Sequence, residues 1–260
     1  MNGFIAGIAI AATALLSSSP GATQPARPTI VLVHGAFADA SSWNGVIEIL
    51  EKDGYSVIAP ANPLRGVRSD ADYISSLVSS IAAPVVLVGH SYGGSVISGA
   101  ANGHANNVKA LVYVAAFAPE AGETAAGLSG KFPGSTLGPA LAPPVALPDG
   151  NADLYVQRDK FHAQFAADVP AAQARLMAAE QRPIAEAALG EASGEPAWRT
   201  IPSWFVYGDA DRNIPPQALA FMAERAGSRE TVEVKGASHV VMVSNPARVA
   251  ALIERAAMAR

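Results

Sequence analysis

The sequence predicts an α/β architecture: a mainly parallel sheet of about six strands, flanked by helices and carrying one helical insertion. Three observations carry this. Apolar, β-branched runs alternate with segments of helical spacing along most of the chain. One such run, Pro84-Val85-Val86-Leu87-Val88, leads into Gly89-His90-Ser91-Tyr92-Gly93 and then into a small-residue helix opening Gly94-Ser95-Val96-Ile97. Half of the 260 residues are hydrophobic and only 15% are charged, which suits a large buried sheet and argues against disorder.

The elements follow in order. Phe4 to Leu16 is an unbroken apolar or small run, followed by Ser17 to Ala22, small and turn-prone. The run is too short to cross a bilayer but suits an export signal, so residues 1–22 are expected to be removed near Gly21 or Ala22 and the protein exported, periplasmic or secreted. Met1-Asn2-Gly3 brings only the α-amino charge, so an apolar tail on a cytoplasmic protein stays the alternative. No other segment could span a membrane. Residues 23–28 read as a linker and 29–260 as one domain. Thr29 to Val33 reads as a strand buried on both faces. Ser56 to Ala59, Val85 to Val88, Val108 to Val114, Ser203 to Tyr207 and Thr231 to Val234 complete the strand set. Helical spacing marks Asp70 to Ile81, with Tyr73, Leu77 and Ile81 on one side, and also Pro216 to Ala226 and Pro246 to Met258. Phe117 to Thr200 breaks the rhythm. A Gly/Pro/Ala-rich loop region runs to about Asn151, then helical stretches cover Asp153 to Ala167 and Pro170 to Ala188. This reads as a cap inserted over the carboxyl ends of the strands, where ligands bind in such sheets.

Composition excludes several functions. Net charge is −4 and no Lys/Arg run appears, so no nucleic-acid partner is expected. There is no cysteine, which rules out disulfides, thiol catalysis and Cys-based metal sites.

A G-x-S-x-G between strand and helix is the mark of a nucleophile elbow. The turn would hold Ser91 in a strained conformation, with glycines on either side where a larger side chain would strike the adjoining strand or helix. A serine hydroxyl needs a base to take its proton, and the base needs a third group to orient it. His34, His90, His104, His162 and His239 are the candidates for the base. His239 is favoured because Lys235-Gly236-Ala237-Ser238-His239 lies just past the last strand; His90 neighbours Ser91 but should point away from it. The acid is Asp211 or, less favoured, Asp209, both in Gly208-Asp209-Ala210-Asp211-Arg212-Asn213-Ile214-Pro215 after the penultimate strand. Asp209 is equally read as a turn residue. The oxyanion hole would draw one backbone N–H from Tyr92 and another from Ala36 or, less favoured, Phe37.

With these residues the chain resembles the α/β-hydrolase superfamily, in its compact esterase-like branch. Leu32-Val33-His34-Gly35-Ala36 with Trp43, Gly89-His90-Ser91-Tyr92-Gly93-Gly94, Gly208-Asp209-Ala210-Asp211 and Ser238-His239 with Asn245-Pro246 carry the resemblance. It implies an α/β-hydrolase fold and Ser-His-Asp acyl transfer on small or medium apolar carboxylic esters, without metal or organic cofactor. Serine at 91 disfavours the aspartate-dependent dehalogenase and epoxide-hydrolase reactions of the superfamily. Val240, where hydroxynitrile lyases typically carry lysine, argues against cyanohydrin chemistry. A lyase, a perhydrolase, an amidase or lactonase, and a non-catalytic small-molecule binder stay open, as does the oligomeric state. Phe37 and Tyr92, flanking the oxyanion site, are the favoured substrate contacts. Phe117, Phe161 and Phe165, with Phe132, Met177 and Trp198, are candidate wall residues from the insertion, the competing reading being that each packs the cap on the core; His162 reads as structural or, less favoured, substrate-touching.

Overall fold

A computed structural model describes residues 1, 3 and 27–259. The rest of the expected export segment and most of the linker therefore lie outside the described residues. The elements run β1 (Thr29–Val33), α1 (Asn44–Lys52), β2 (Val57–Ile58), α2 (Val67–Ser79), β3 (Val85–His90), α3 (Tyr92–Ala100) and β4 (Val108–Val114). Then come α4 (Ala125–Gly130), α5 (Leu137–Ala140), β5 (Val145–Ala146), β6 (Ala152–Leu154), α6 (Arg158–Phe165), α7 (Ala171–Glu180), β7 (Ile184–Ala185) and α8 (Glu186–Gly190). The chain closes with β8 (Ser203–Gly208), α9 (Pro216–Arg225), β9 (Glu230–Val234), α10 (Val241–Ser244) and α11 (Pro246–Met258).

Six strands form one sheet in the order β2-β1-β3-β4-β8-β9, and every pairing is parallel. The continuous apolar runs sit at its centre: β1 and β3 are buried at every position, and so is β8. Edge strand β9 instead alternates between buried or half-buried and exposed positions, as one covered face requires. The chain leaves β1 toward β2 on one side and returns to β3 on the other. The loops after β1 and β3 therefore face each other across the switch point, at the carboxyl ends of the strands.

Two predicted elements differ. Helix α2 turns Val67, Ala71, Ile74 and Val78 to the core, while Tyr73 is 45% exposed. Tyr73, Leu77 and Ile81 do share helical spacing, but they lie beside the core stripe. The insertion is not purely helical. Its stretch 117–151 contains α4, α5 and β5, and β5-β6-β7 form a small antiparallel sheet. The predicted helix over Pro170 to Ala188 ends at Glu180, with Gln181 already extended, shortly before Pro183, which cannot continue a helix and pushes its predecessor toward extended backbone. The chain enters β7 there, and the Ala185 N–H bonds Leu64 O at 3.0 Å, tying cap to core. Among the described residues no helix is long and apolar enough to cross a membrane.

Candidate active site

Ser91 ends β3 and begins α3 with φ 53° and ψ −123°, a backbone region that L-residues seldom occupy. The neighbouring glycines show why the turn is possible. A Cβ at Gly89 would lie 2.6 Å from Gly93 O, and one at Gly93 would lie 2.5 Å from Val33 O. Gly35, in the facing loop, packs as tightly: a Cβ there would sit 2.7 Å from the Ser91 Cβ. The turn is braced by the Ser91 N–H donating to Val114 O at 3.2 Å and the Gly94 N–H donating to Ser91 O at 3.0 Å.

His239 and Asp211 meet. Asp211 is buried, and its Oδ2 lies 2.7 Å from His239 Nδ1. Its Oδ1 accepts the backbone N–H groups of Asn213 at 2.8 Å and Ile214 at 3.0 Å, so the carboxylate is oriented by its own loop. A carboxylate at Nδ1 holds that nitrogen protonated and leaves Nε2 as the nitrogen available to a serine. Asp209 serves elsewhere. Its Oδ1 accepts the Gly236 N–H at 2.5 Å, joining the acid loop to the loop that carries His239. The latter loop is also tied to the cap through Ser238 Oγ and Asp168.

Ser91 and His239 line one cavity of about 320 Å³. Ala36, Phe37, Tyr92 and Phe117 border it on the core side, and Ala125, Ala126, Leu137, Leu141 and Leu189 on the cap side. The Phe37 N–H donates to Arg182 O at 2.9 Å, which removes it as an oxyanion donor and leaves the adjacent Ala36 N–H as the candidate. The Tyr92 N–H stands at the first position of α3, where helix amides have no intrahelical partner. The Tyr92 ring is buried, and its hydroxyl donates to Asp70 Oδ2 at 3.0 Å. Burial raises the pKa of the Asp70 carboxyl.

Several expected wall residues lie elsewhere. Phe161 and Phe165 are fully buried and absent from the cavity wall. Their rings pack together at 4.9 Å, and Phe165 seats edge-on to His239 at 5.1 Å and to Phe37 at 6.1 Å. They wedge cap against core, because α6 turns this face inward. Phe132 packs on Phe221, and Trp198 donates its indole N–H to Pro119 O. Met177 borders a separate cavity of about 280 Å³ that touches the first through Phe37. His162 bonds Val169 O at 2.9 Å and is structural. The wall residues that sequence reasoning missed include Leu137, Leu141, Leu189, Ser129, Ser135 and Asn213. The i, i+4 spacing of Leu137 and Leu141 was the available signal for the first two.

The other histidines support the frame. His34 Nδ1 bonds Gly35 O, and its Nε2 accepts the Asn62 N–H at 3.0 Å, which makes it a neutral ring pinning the loop after β1. Burial holds its pKa below the ordinary histidine range. His90 is fully buried, with its ring 4.8 Å from that of His239, and its Nε2 donates to His239 O at 3.2 Å. Burial first, then the neighbouring His239, pushes its pKa well below the ordinary range. His104 bonds Ser75 away from the site.

Comparison with known proteins agrees with this frame. The profile of the Alpha/beta hydrolase family matches residues 30–252. A carbendazim hydrolyzing esterase from Nocardioides sp. (strain SG-4G) is 36% identical over 106 residues, 36% of this chain and 44% of that protein. Norfluorocurarine synthase 2 from Strychnos sp. is 26% identical over 259 residues, covering 86% of this chain and 93% of that one. The crystal structure of polyneuridine aldehyde esterase superposes with a TM-score of 0.76 at 19% identity, covering 88% of this chain and 98% of that one. A six-stranded parallel sheet, a serine elbow after its third strand in sequence, and a family match across nearly the whole described domain lead to one conclusion: this chain belongs to the alpha/beta hydrolase family.

Proposed function

We propose that this protein is a serine hydrolase that cleaves small or medium apolar carboxylic esters through an acyl-enzyme. The observation that carries the reading is the strained Ser91 on the same cavity wall as His239, with His239 held at 2.7 Å by buried Asp211. In this mechanism His239 Nε2 takes the Ser91 proton as the oxygen attacks the ester carbonyl. The N–H groups of Ala36 and Tyr92 receive the oxyanion; a well-aimed donor of this kind contributes roughly 3–4 kcal/mol in the transition state. The imidazolium, stabilised by Asp211, protonates the leaving alcohol. A water deprotonated by the same imidazole then releases the acid and restores Ser91. The mostly apolar cavity wall supports an apolar acyl or alcohol group, and the esterase named among the relatives supports the reaction class.

The test is active-site labelling with turnover. A fluorophosphonate probe should label wild type and leave Ser91→Ala unlabelled. Turnover of p-nitrophenyl esters should fall by about four to six orders of magnitude in Ser91→Ala. A loss smaller than tenfold would remove Ser91 from the mechanism. Cleavage of mandelonitrile, or peracid formation, outpacing ester hydrolysis would assign the same residues to a lyase or perhydrolase.

A further inference from the structure

The loop that carries His239 is held at each residue from 236 to 239. The Gly236 N–H donates to Asp209 Oδ1 at 2.5 Å, and Ala237 O accepts the Ala210 N–H at 3.1 Å, both ties to the acid loop. His239 is held by Asp211 at Nδ1 and by His90 at its carbonyl. Ser238, the residue immediately before the base, is held from the cap instead. It is buried, and its Oγ has one proton with two acceptors in reach: Asp168 Oδ1 in close contact, and Phe165 O at 3.4 Å. The carboxylate is both the nearer and the stronger acceptor, so the hydroxyl donates to Asp168.

Asp168 is exposed, yet its position is fixed. It lies in the short turn after α6, where the Val169 N–H donates to Ala166 O at 3.0 Å and His162 Nε2 donates to Val169 O at 2.9 Å. Three residues earlier, Phe165 sets its ring edge-on to the His239 imidazole, with centroids 5.1 Å apart. One short segment of the cap therefore meets the base twice: a ring packs on the imidazole, and a carboxylate bonds the residue before it. The two contacts differ in kind. Ring packing tolerates sliding, whereas a hydrogen bond is directional and sets where the backbone enters His239. That placement matters, because a general base must come within hydrogen-bond reach of the hydroxyl it deprotonates, and a misplacement of about 1 Å can cost on the order of 10²-fold in rate. Asp168 itself is absent from the cavity wall.

We propose that Asp168 is a positioning residue: by holding Ser238 from the cap, it places His239 for proton transfer from Ser91, so that seating the cap and placing the base are one event. This deepens the hydrolase reading of Ser91 and rests on it.

The experiment is a double-mutant cycle on Asp168 and Ser238 with a p-nitrophenyl ester. In Asp168→Ala the Ser238 hydroxyl falls back on Phe165 O, so the chain stays folded while the loop shifts. There kcat should fall about tenfold with KM nearly unchanged. Ser238→Ala should lose about the same, and the double variant no more than either single one, because both changes break one bond. Asp168→Asn, which removes the charge and keeps the acceptor oxygen, should return kcat to within about threefold of wild type. The far-downfield proton resonance of His239 Nδ1–H, bonded to Asp211, reads the same placement without turnover. It should be sharp in wild type and Asp168→Asn, and broadened or lost in Asp168→Ala. A kcat in Asp168→Ala within twofold of wild type, additive losses in the double variant, or an equal loss in Asp168→Asn would each overturn the assignment. So would a rise in KM at constant kcat, which would make Asp168 a packing residue of the cap. A resonance that responds in a protein with no Ser91-dependent ester turnover would overturn the hydrolase reading and leave the role of Asp168 standing. Turnover lost in Ser91→Ala, with kcat and resonance both indifferent to Asp168→Ala, would do the reverse.

Discussion

The two oxygens of Asp211 do different things, and substitution can separate them. Oδ1 accepts two buried backbone N–H groups, at 2.8 and 3.0 Å, while Oδ2 faces His239 Nδ1 at 2.7 Å. In Asp211→Asn the amide oxygen keeps the backbone bonds and its NH₂ replaces Oδ2. That NH₂ donates to Nδ1, so the imidazole proton moves to Nε2 and the ring can no longer accept from Ser91. The expected loss in kcat is about 10⁴, or about 5.5 kcal/mol at 1.36 kcal/mol per decade, with the fold intact. Asp211→Ala instead leaves both backbone donors unpaired, at about 1–3 kcal/mol each. It should lose comparable activity together with roughly 5–20 °C in Tm. Steady-state kinetics on a p-nitrophenyl ester beside calorimetric melting reads both quantities. Activity in Asp211→Asn within tenfold of wild type would refute the tautomer argument. So would an equal loss in Asp209→Asn, whose carboxylate serves the Gly236 N–H instead.

Three further outcomes follow from the same geometry. Gly93→Ala places a Cβ 2.5 Å from Val33 O, backbone that cannot move aside, so soluble yield and Tm should both fall sharply; a melting curve like that of wild type would contradict the elbow packing. His90→Phe removes the Nε2–H bond to His239 O and should lower kcat about tenfold with KM nearly unchanged, while His90→Gln, keeping a donor, restores part of it; equal kinetics in His90→Phe and wild type would leave His90 without a positioning role. Neutral His34 and His90 make stability fall in acid. Their folded pKa values lie below the unfolded value near 6.5, so the unfolded chain binds more protons as pH drops from about 6.5 toward those lowered values. Each imidazole contributes a slope of up to roughly 1.4 kcal/mol per pH unit, and urea midpoints from pH 7.5 to 5 should show His90→Phe losing less than wild type.

The fold was legible where burial is extreme. A strand covered on both faces is apolar along nearly all its length, so β1 and β3 stood out as runs, with β4 interrupted only at exposed Lys109, and the parallel order followed from the helices between them. The cap was less legible because short elements carry little periodicity: β5 and β7 are two residues each, and their pairing is set by tertiary contact. The aromatic residues of the cap misled for a related reason. Composition says that a phenylalanine will be covered, not whether substrate or protein covers it. Phe161 and Phe165 are covered by protein.

The candidate site shows the same division. Ser91, Asp211 and His239 could be picked out because each follows a strand of a parallel sheet, and parallel strands bring their carboxyl ends to one edge. Chain order alone places them near each other. Asn213 could not be found this way. Only two positions beyond Asp211, it reads as one more polar residue of a turn, and its sequence neighbours say nothing of Gln164, Ser129 or Ser135. Those partners come from three places in the cap: Gln164 fixes the side-chain amide and the two serines hold the backbone carbonyl. Sequence spacing can thus locate groups that a shared sheet edge aligns, whereas side chains whose placement is set by contacts between cap and core leave no local pattern.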